Sequence, residues 1–268
     1  MEIKIFASSI GLALVSLALL SWKWRTQLST VIPAALLIGG LTGGIVSLID
    51  FKLVHLNIIA LVFVELFLIL LIAFLSIIMR FYRDPERTPV EVENVILSPA
   101  DGKIIYIRAI ERNSGLVSTK GKRHFELHEI IGSDMSFTTS YLLGIDMNML
   151  NVHVNRAPIG GKIILTKRTD GEFLSLRKPE SEVTNERVTT IIDNGRFKVA
   201  VVQIASRLVR RVVSFVKEGE NVAIGQRIGM IKLGSQVDLT IPILENLEIC
   251  VKTGDQVKAG LSVIARYA

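Results

Sequence analysis

Two stretches near the C-terminus decide the fold of this chain: "VKEGENVAIGQRIG" (residues 216–229) and "VKTGDQVKAGLSVI" (residues 251–264). Both follow the pattern V-K-x-G-[ED]-x-V-x-x-G, in which a turn with glycine and an acidic residue leads into a short strand and a second glycine. An internal repeat of this length is typical of two related supersecondary units that bury a shared apolar face. The repeat therefore predicts two similar β-hairpin units packed face to face.

The segment "LGSQVD" (residues 233–238) lies between the two repeats, where one half of the predicted domain joins the other. A Gly-Ser pair inside a β-prone run ordinarily marks a bulge or a tight bend. The repeat itself resembles barrel-sandwich domains of the biotinyl and lipoyl type. Carrier domains of that type hold their modified lysine in "MKM" or "DKA", and neither is present, so a swinging-arm carrier is not predicted.

Residues 81–268 read as a β-dominated domain. Short β-branched runs are separated by turn signals such as "PADG" (residues 99–102) and "DNG" (residues 193–195). Pro85 and Pro89, among charged residues, indicate an irregular linker at the start of the domain. The one helix that the pattern favours is a short one around Met147–Asn151.

Residues 1–80 are predicted to be a membrane anchor. The chain has a mean hydropathy of +0.47, and the excess is concentrated in Ile5–Trp22, Val31–Ile49 and Leu56–Met79. Each stretch is about long enough to cross a hydrocarbon core of ~30 Å as a helix. The second is rich in glycine, so the anchor has two or three transmembrane helices. Glu65, deep in the third stretch, is expected to face another helix rather than lipid.

The basic residues predict the orientation in the membrane. Lysine and arginine cluster after the first and third stretches, at Lys23, Arg25, Arg80, Arg83 and Arg87. Because such residues favour the cytoplasmic side, we expect an integral protein of the cell membrane whose β-dominated domain is cytoplasmic. The rest of the chain is nearly balanced in charge, without a basic stripe or interleaved aromatic residues. It therefore favours a lipid surface over nucleic acid as partner.

Cysteine and histidine make a metal site improbable in this chain. Cys250 is the single cysteine, which excludes an intramolecular disulfide and a cysteine-based metal site, and we expect it to be a buried small apolar residue. "HFELH" places His124 and His128 four residues apart. Phe125 stands where zinc proteases of that spacing have glutamate, so we predict an exposed pair and no metal. His55 borders a membrane span and is expected at the interface.

Several collinear segments together resemble one family, the short membrane-anchored phosphatidylserine decarboxylase proenzymes, including the archaeal archaetidylserine decarboxylases. The resemblance runs from about Phe81 to Ala268. The segments are "FYRDPERTP", "SPADGKI", "NVHVNRAPIGGKI", "NERV", "VVQIASRLVRRVV" and "VKEGENVAIGQRIGMIKLGSQVDLTIP". The chain departs from the family's usual pattern at Ser206, Val209 and Gln236. At the position of Gln236 the family commonly has arginine.

The resemblance implies that the enzyme makes its own prosthetic group. The Ser235 hydroxyl would attack the Gly234 carbonyl and convert the peptide bond to an ester. β-Elimination would then break the chain, and the resulting dehydroalanine would take up water and release ammonia, leaving a pyruvoyl group at position 235. The products are chains of residues 1–234 and 235–268, forming a heterodimer or a higher oligomer. The substrate implied is a serine phospholipid, decarboxylated through a Schiff base with the pyruvoyl group.

The resemblance also supplies candidate site residues. His153 would accept the proton of Ser235, and Asp101 would orient the imidazole. The simpler interpretations are a turn aspartate for Asp101 and a hydrogen-bonded strand histidine for His153. Substrate binding falls to basic residues that could neutralise a phosphodiester or carboxylate, and a solvated basic face is the alternative. These basic residues are Arg156, Arg210 and Arg211.

A second hypothesis is a non-catalytic, membrane-anchored barrel-sandwich adaptor, such as the periplasmic arm of an export pump. An adaptor would share the anchor and the repeat. It would have no reason to carry "LGS", "SPADG" and "HVNRAP" together.

Overall fold

The computed structural model describes residues 2–24, 28–52, 57–89, 93–110, 117–118, 124–125, 139–171, 185–205, 211–232 and 235–268. The chain divides into two compact units, Met1–Phe81 and Tyr82–Ala268.

The first unit contains three helices within its described residues: α1 (Glu2–Trp24), α2 (Leu28–Lys52) and α3 (Ile58–Phe81). All three are long and apolar enough to cross a membrane. The glycine-rich second stretch, which left the count between two and three, forms a helix of 25 residues. The three long apolar helices indicate that the protein is associated with a membrane.

The glycines of α2 allow this helix to approach α1 closely. A Cβ atom on Gly39 would lie 2.7 Å from the Cα of Ile10, and one on Gly43 would lie 2.9 Å from the ring of Phe6. Small residues at a helix contact permit close backbone packing where no hydrophobic effect drives association. The glycines that weakened the second stretch as a predicted span are therefore packing residues.

Glu65 lies in α3 with no exposed surface. Its two carboxyl oxygens accept hydrogen bonds from the Oγ atoms of Ser8 (2.7 Å) and Ser9 (2.8 Å) of α1. The side chain thus faces another helix, as expected for a carboxyl group inside an apolar span. The two hydroxyl donors offset part of the cost of burying it.

The second unit is mainly β, as the sequence predicted. Its described strands are β1 (Val95–Leu97), β2 (Gly102–Ile110), β3 (Val117–Ser118), β4 (His124–Phe125), β5 (Ser140–Met147), β6 (Val154–Arg156), β7 (Gly161–Thr169), β8 (Arg187–Asp193), β9 (Lys198–Ala205), β10 (Arg211–Ser214), β11 (Asn221–Val222), β12 (Arg227–Lys232), β13 (Ser235–Pro242), β14 (Glu248–Ile249), β15 (Gln256–Val257) and β16 (Val263–Arg266).

Eight of these strands form a curled, half-barrel antiparallel sheet in the order β11-β7-β8-β9-β13-β5-β2-β15. Two smaller sheets, β1-β16-β14 and β10-β12-β6, contribute to the same core, and β3 pairs with β4. The central strands are buried on both faces. In β9, Val199 and Val201 belong to the main core, while Ala200 and Val202 belong to a second cluster. This burial explains the nearly continuous apolar run of "KVAVVQIA".

The internal repeat is visible as two equivalent sets of hydrogen bonds. In the first repeat, the N–H of Gly219 donates to the carbonyl of Ile163 at 2.8 Å. In the second, the N–H of Gly254 donates to the carbonyl of Ile104 at the same distance. β11 and β15, the short strands of the two repeats, are the two outer strands of the eight-stranded sheet. The repeats therefore occupy equivalent positions at opposite edges of that sheet.

The short helix expected around Met147–Asn151 is wrong. Met147 ends β5, and a turn follows. The Oδ1 of Asn151 accepts from the N–H of Asn148 (2.8 Å), and the Oδ1 of Asn148 accepts from the N–H of Leu150 (2.9 Å). Asparagine side chains that bond to nearby backbone groups compete with the helical pattern, and here they hold the turn.

The expectation that Cys250 is buried is also wrong, since the residue is exposed. It directly follows β14, the outer strand of the β1-β16-β14 sheet. Its N–H donates to the carbonyl of Ile264 at 2.8 Å, so the backbone is held while the thiol is left at the surface. Cysteine is a residue type that is usually buried, but the position of Cys250 at a sheet edge leaves its side chain exposed.

We predict that Gly225→Ala destabilises the protein more than Gly219→Ala, its matched control in the same repeat. Both glycines have positive φ, +74° and +87°, so alanine at either position costs about 1 kcal/mol. A Cβ at Gly225 would also lie 2.5 Å from the Cγ of Pro89, whereas nothing lies within 4 Å at Gly219. Overpacking adds a further ~1–3 kcal/mol. Thermal unfolding midpoints in detergent measure the difference, and equal midpoints would contradict the contact with Pro89.

Candidate active site

Ser235 begins the central strand β13. In the strand register it lies opposite Ala205 of β9 on one side and Met147 of β5 on the other. The pairing with β5 runs from Ser235 to Pro242 without a shift. The predicted cleavage position is therefore at the end of a central strand. Gly234 lies outside the described residues.

Asp101 lies at the same end of the sheet. It directly precedes β2, whose Lys103 pairs with Asp146 of β5. Since β5 lies between β2 and β13, Asp101 is two strands away from Ser235. Two strand spacings are about 10 Å. The turn "PADG" therefore brings the predicted carboxylate to the same region as the predicted nucleophile.

The Asp101 carboxylate is buried and fully engaged. Its oxygens accept two hydrogen bonds from the Arg87 guanidinium, at 2.6 and 2.9 Å. The N–H of Ala259 donates to Oδ1 at 2.8 Å, and the N–H of Val152 lies 3.4 Å from Oδ2. A bidentate guanidinium and carboxylate pair is among the strongest hydrogen-bonded pairs in proteins. Asp101 thus does more than complete a local turn, because its partners come from three distant segments.

His153 is fully buried beside this carboxylate. Its Nδ1 lies 3.0 Å from the carbonyl oxygen of Asn151. A carbonyl only accepts, so Nδ1 carries the proton and Nε2 carries the basic lone pair. Burial lowers the pKa of His153 to about 4, while the Asn151 hydrogen bond and the Asp101 charge oppose that shift. The imidazole is therefore neutral at pH 7 and able to accept a proton.

The Asn151 carbonyl orients the His153 ring through its hydrogen bond with Nδ1. We expected Asp101 to hold it. Asp101 acts on the ring through its charge and holds the preceding residue through the N–H of Val152. The carbonyl of His153 in turn accepts from the N–H of Ile231 (3.2 Å) in β12, the strand that leads into the Gly234–Ser235 junction.

Two buried amides next to this junction were not singled out by sequence reasoning. The Nε2 of Gln203 donates to the Oδ1 of Asn155 at 2.7 Å. The Nδ2 of Asn155 has only long contacts, 3.4 Å to the carbonyl of Pro99 and 4.0 Å to the Sδ of Met147. Both amides have no exposed surface. The signal that could have found Gln203 is a glutamine inside the apolar run "VVQIA".

The basic residues predicted to bind substrate have different surroundings. The Arg156 guanidinium is 4 % exposed and donates to the carbonyls of Gly225 and Pro85, each at 3.0 Å. Burial is the main cause that lowers the pKa of Arg156. Arg211 is exposed, and in the strand register it lies opposite Lys232 at the end of β12. Arg210 lies outside the described residues. A substrate-binding role for the three stays a prediction.

Arg87 was expected in the basic cluster that follows the third apolar stretch. Its side chain is instead 7 % exposed and paired with Asp101. The sequence offered no signal for this pairing beyond a charged residue in a proline-flanked linker.

Of the histidines, His124 lies in the two-residue strand β4, so the helical spacing considered for a metal pair does not apply to it. His55 and His128 lie outside the described residues. Within the part of the chain that the structure describes, no group of three or more metal-binding side chains is found.

Comparison with known proteins identifies the family. The family model described as phosphatidylserine decarboxylase matches residues 74–265. A putative archaetidylserine decarboxylase proenzyme of Methanocaldococcus jannaschii is 43% identical over 75% of this chain and 95% of its own length. A putative archaetidylserine decarboxylase proenzyme of Methanothermobacter thermautotrophicus is 38% identical over 74% of this chain and 84% of its own length. A phosphatidylserine decarboxylase proenzyme of Chlorobium chlorochromatii is 36% identical, over 73% and 82%.

The chain is thus an enzyme of the decarboxylase class that acts in phospholipid metabolism and is made as a proenzyme. It belongs to the phosphatidylserine decarboxylase family. The hypothesis of a non-catalytic adaptor has no support from these relatives.

We predict that His153 makes the protein less stable as the pH falls. The folded-state pKa of about 4 lies below the ordinary histidine pKa of 6.5 in the unfolded chain, so the unfolded state binds the proton first. The contribution of His153 is present above the unfolded pKa and decreases by about 2 kcal/mol between pH 7 and pH 5. Unfolding free energies in detergent at the two pH values, compared with those of His153→Asn, isolate this contribution. An identical pH dependence in both proteins would contradict the buried neutral imidazole.

Proposed function

We propose that the protein decarboxylates the serine head group of a phospholipid, converting phosphatidylserine to phosphatidylethanolamine or archaetidylserine to archaetidylethanolamine. The prosthetic group would be a pyruvoyl group made by self-cleavage between Gly234 and Ser235. The observation that carries this proposal is the position of Ser235 at the start of a central strand, with Asp101 and His153 gathered at the same end of the sheet.

In the proposed self-cleavage, His153 is the general base. Its Nε2 lone pair would take the proton of the Ser235 hydroxyl as Oγ forms a bond to the Gly234 carbonyl carbon. The imidazolium would be favoured by the nearby charge of Asp101. The proton then returns to the Gly234–Ser235 amide nitrogen as the C–N bond breaks, leaving the ester. A glycine before the serine leaves the carbonyl open to attack.

The residues around position 235 fit a group that bears two adjacent carbonyls. The Nδ2 of Asn155 is oriented by Gln203 and has only long contacts of its own, so it is available to donate to a carbonyl oxygen. A pyruvoyl group supplies a ketone that condenses with the substrate amine and an amide carbonyl that accepts the electrons released with CO₂. The neighbouring Met147 and Ala205 belong to the apolar core and would exclude water.

We propose that the finer architecture of the second unit is a barrel-sandwich of the biotinyl and lipoyl type. The equivalent hydrogen bonds of the two repeats at Ile163 and Ile104 support this proposal. Two similar halves would then meet at the Gly234–Ser235 junction.

The anchor would keep the enzyme at the bilayer that contains its substrate. We propose that the catalytic domain is cytoplasmic, which the basic residues after the first and third helices support. The partners would be the membrane and a serine phospholipid, with the chains of residues 1–234 and 235–268 forming a heterodimer.

We predict that mature protein consists of two chains, the smaller of which begins at position 235 with a ketone in place of an amino group. Ser235→Ala lacks the nucleophile and should be neither cleaved nor active. Ser235→Cys keeps a nucleophile and a leaving group, so it should cleave slowly and its activity should follow the cleaved fraction. Mass spectrometry measures both. Cyanoborohydride with a serine phospholipid should trap an adduct on the small chain of the wild type. An uncut but active wild type, or an adduct on Ser235→Ala, would contradict the mechanism.

We predict that Asp101→Asn and His153→Ala accumulate uncut proenzyme, with cleavage slowed by about 100-fold or more through loss of the base and its charged neighbour. Asp255→Asn is the matched control, because Asp255 is a turn aspartate whose carboxylate accepts from the N–H of Lys252. It should cleave at the wild-type rate. A His153→Ala protein that is cut but inactive would assign His153 to the lipid reaction. One that is cut and fully active would remove it from the site.

A further inference from the structure

The linker at the start of the second unit is held on the β domain by a series of charged contacts. We call residues Arg83–Arg87, "RDPER", the strap. The Nη2 of Arg83 donates to the carbonyl of Leu150 at 2.9 Å. The Asp84 carboxylate pairs with Arg156 and Arg227, and Arg227 also bonds to Glu86 at 2.7 Å. The sequence indicated an irregular linker, and the structure shows one that is docked.

The surface below the strap is shaped to receive it. Gly225 and Gly260 are the second glycines of the two repeats, and both have positive φ. A Cβ on Gly225 would lie 2.5 Å from Pro89, two residues beyond the strap, and a Cβ on Gly260 would lie 2.8 Å from the Cδ of Arg156. Arg156 in turn donates to the carbonyl of Pro85 within the strap. The repeat therefore builds the seat on which the linker lies.

The last strap residue reaches the predicted catalytic carboxylate. Arg87 donates to both oxygens of Asp101, and its Nη1 also donates to the carbonyl of Ala259 at 2.7 Å. The side chains of Arg87 and Asp101 are 7 % and 8 % exposed. A buried carboxylate is strongly disfavoured without a partner charge, and Arg87 is that partner. The bidentate geometry also fixes the rotation of the carboxylate.

The strap contacts the surroundings of His153 by two routes. Through Arg87 it orients Asp101, whose Oδ2 accepts from the N–H of Val152, the residue before His153. Through Arg83 it holds the carbonyl of Leu150, in the turn whose Asn151 carbonyl binds the imidazole. Removing the strap would therefore release both predicted members of the cleavage machinery.

We propose that Arg87 is a positioning residue for self-cleavage, and that the strap makes maturation depend on the docking of the linker on the β domain. This inference rests on the proposed function, because it assigns a purpose to the Asp101 carboxylate in cleavage. Arg87 does not touch the Gly234–Ser235 bond in this scheme. It pairs with the Asp101 carboxylate and fixes its rotation next to His153.

The test uses full-length chains synthesised in the presence of lipid vesicles, with the cleaved fraction followed over time. Arg87→Ala should slow cleavage at least tenfold. Arg87→Lys keeps the charge but cannot donate two parallel hydrogen bonds, so its cleavage rate should lie between those of the wild type and Arg87→Ala. Guanidinium chloride at low millimolar concentration should raise the rate of Arg87→Ala, whereas sodium chloride at equal ionic strength should not. A role in folding alone would not produce this selective rescue.

Arg227→Gln is the control variant. It removes the ion pairs that Arg227 makes with Asp84 and Glu86 of the strap. These pairs are partly exposed and contribute little, and the pair of Arg87 with Asp101 stays intact. Its cleavage rate should stay within twofold of the wild type. Thermal midpoints of all variants show which of them are folded.

Cleavage of Arg87→Ala at the wild-type rate would overturn the inference. So would slow cleavage that guanidinium does not raise, or a rate for Arg87→Lys no higher than that for Arg87→Ala. An uncut wild type would instead contradict the proposed function. The two failures are therefore distinguishable.

Discussion

The double pairing of β13 is the constraint on which the rest of the β domain depends. This strand bonds to β5 along its whole length and to β9 from Ser235 to Thr240, at the centre of the eight-stranded sheet. The strands after it return to earlier parts of the chain, since β15 pairs with β2 and β16 with β1. A chain of residues 235–268 is thus held by three strands, β13, β15 and β16, that pair with strands of the preceding sequence. In the proposed maturation, cleavage before Ser235 would cut the covalent link without releasing the fragment.

Polar groups gathered at the end of β13 set the chemistry that the sheet can support. Burial keeps His153 neutral, while Asp101, paired with Arg87, places its carboxylate nearby. Asn155 and Gln203 add a buried amide pair next to the same strand end. Each group would be costly in an apolar core without its partner, so the partners are as much a part of the site as the groups themselves.

Those features that depend on neighbours along the chain were predictable from the sequence. The three apolar stretches became three helices, and the β-branched runs became strands. The two repeats lie at opposite edges of the eight-stranded sheet, and their packing face to face stays a prediction. Periodicity and turn residues report such local choices well. The family resemblance, read from collinear motifs, was confirmed by the matching family model. The errors at Met147–Asn151 and Cys250 were also local, because an asparagine turn and a sheet edge overrode residue-type preferences.

Partners from distant segments were decided only by the tertiary structure. The contact of Ala259 with Asp101 joins residues far apart in sequence, and so does that of Gln203 with Asn155. The sequence placed Arg87 in a juxtamembrane basic cluster, but the fold pairs it with the Asp101 carboxylate. Arg156 was predicted to bind substrate, and the fold places the Gly225 carbonyl against its guanidinium. Sequence by itself determined the three apolar helices, the repeated β pattern and the family, since each depends on short-range pattern. The pairing of the buried charges was decided by the packing of the sheets. Burial removes water, so every buried polar group depends on the partner that the fold places beside it.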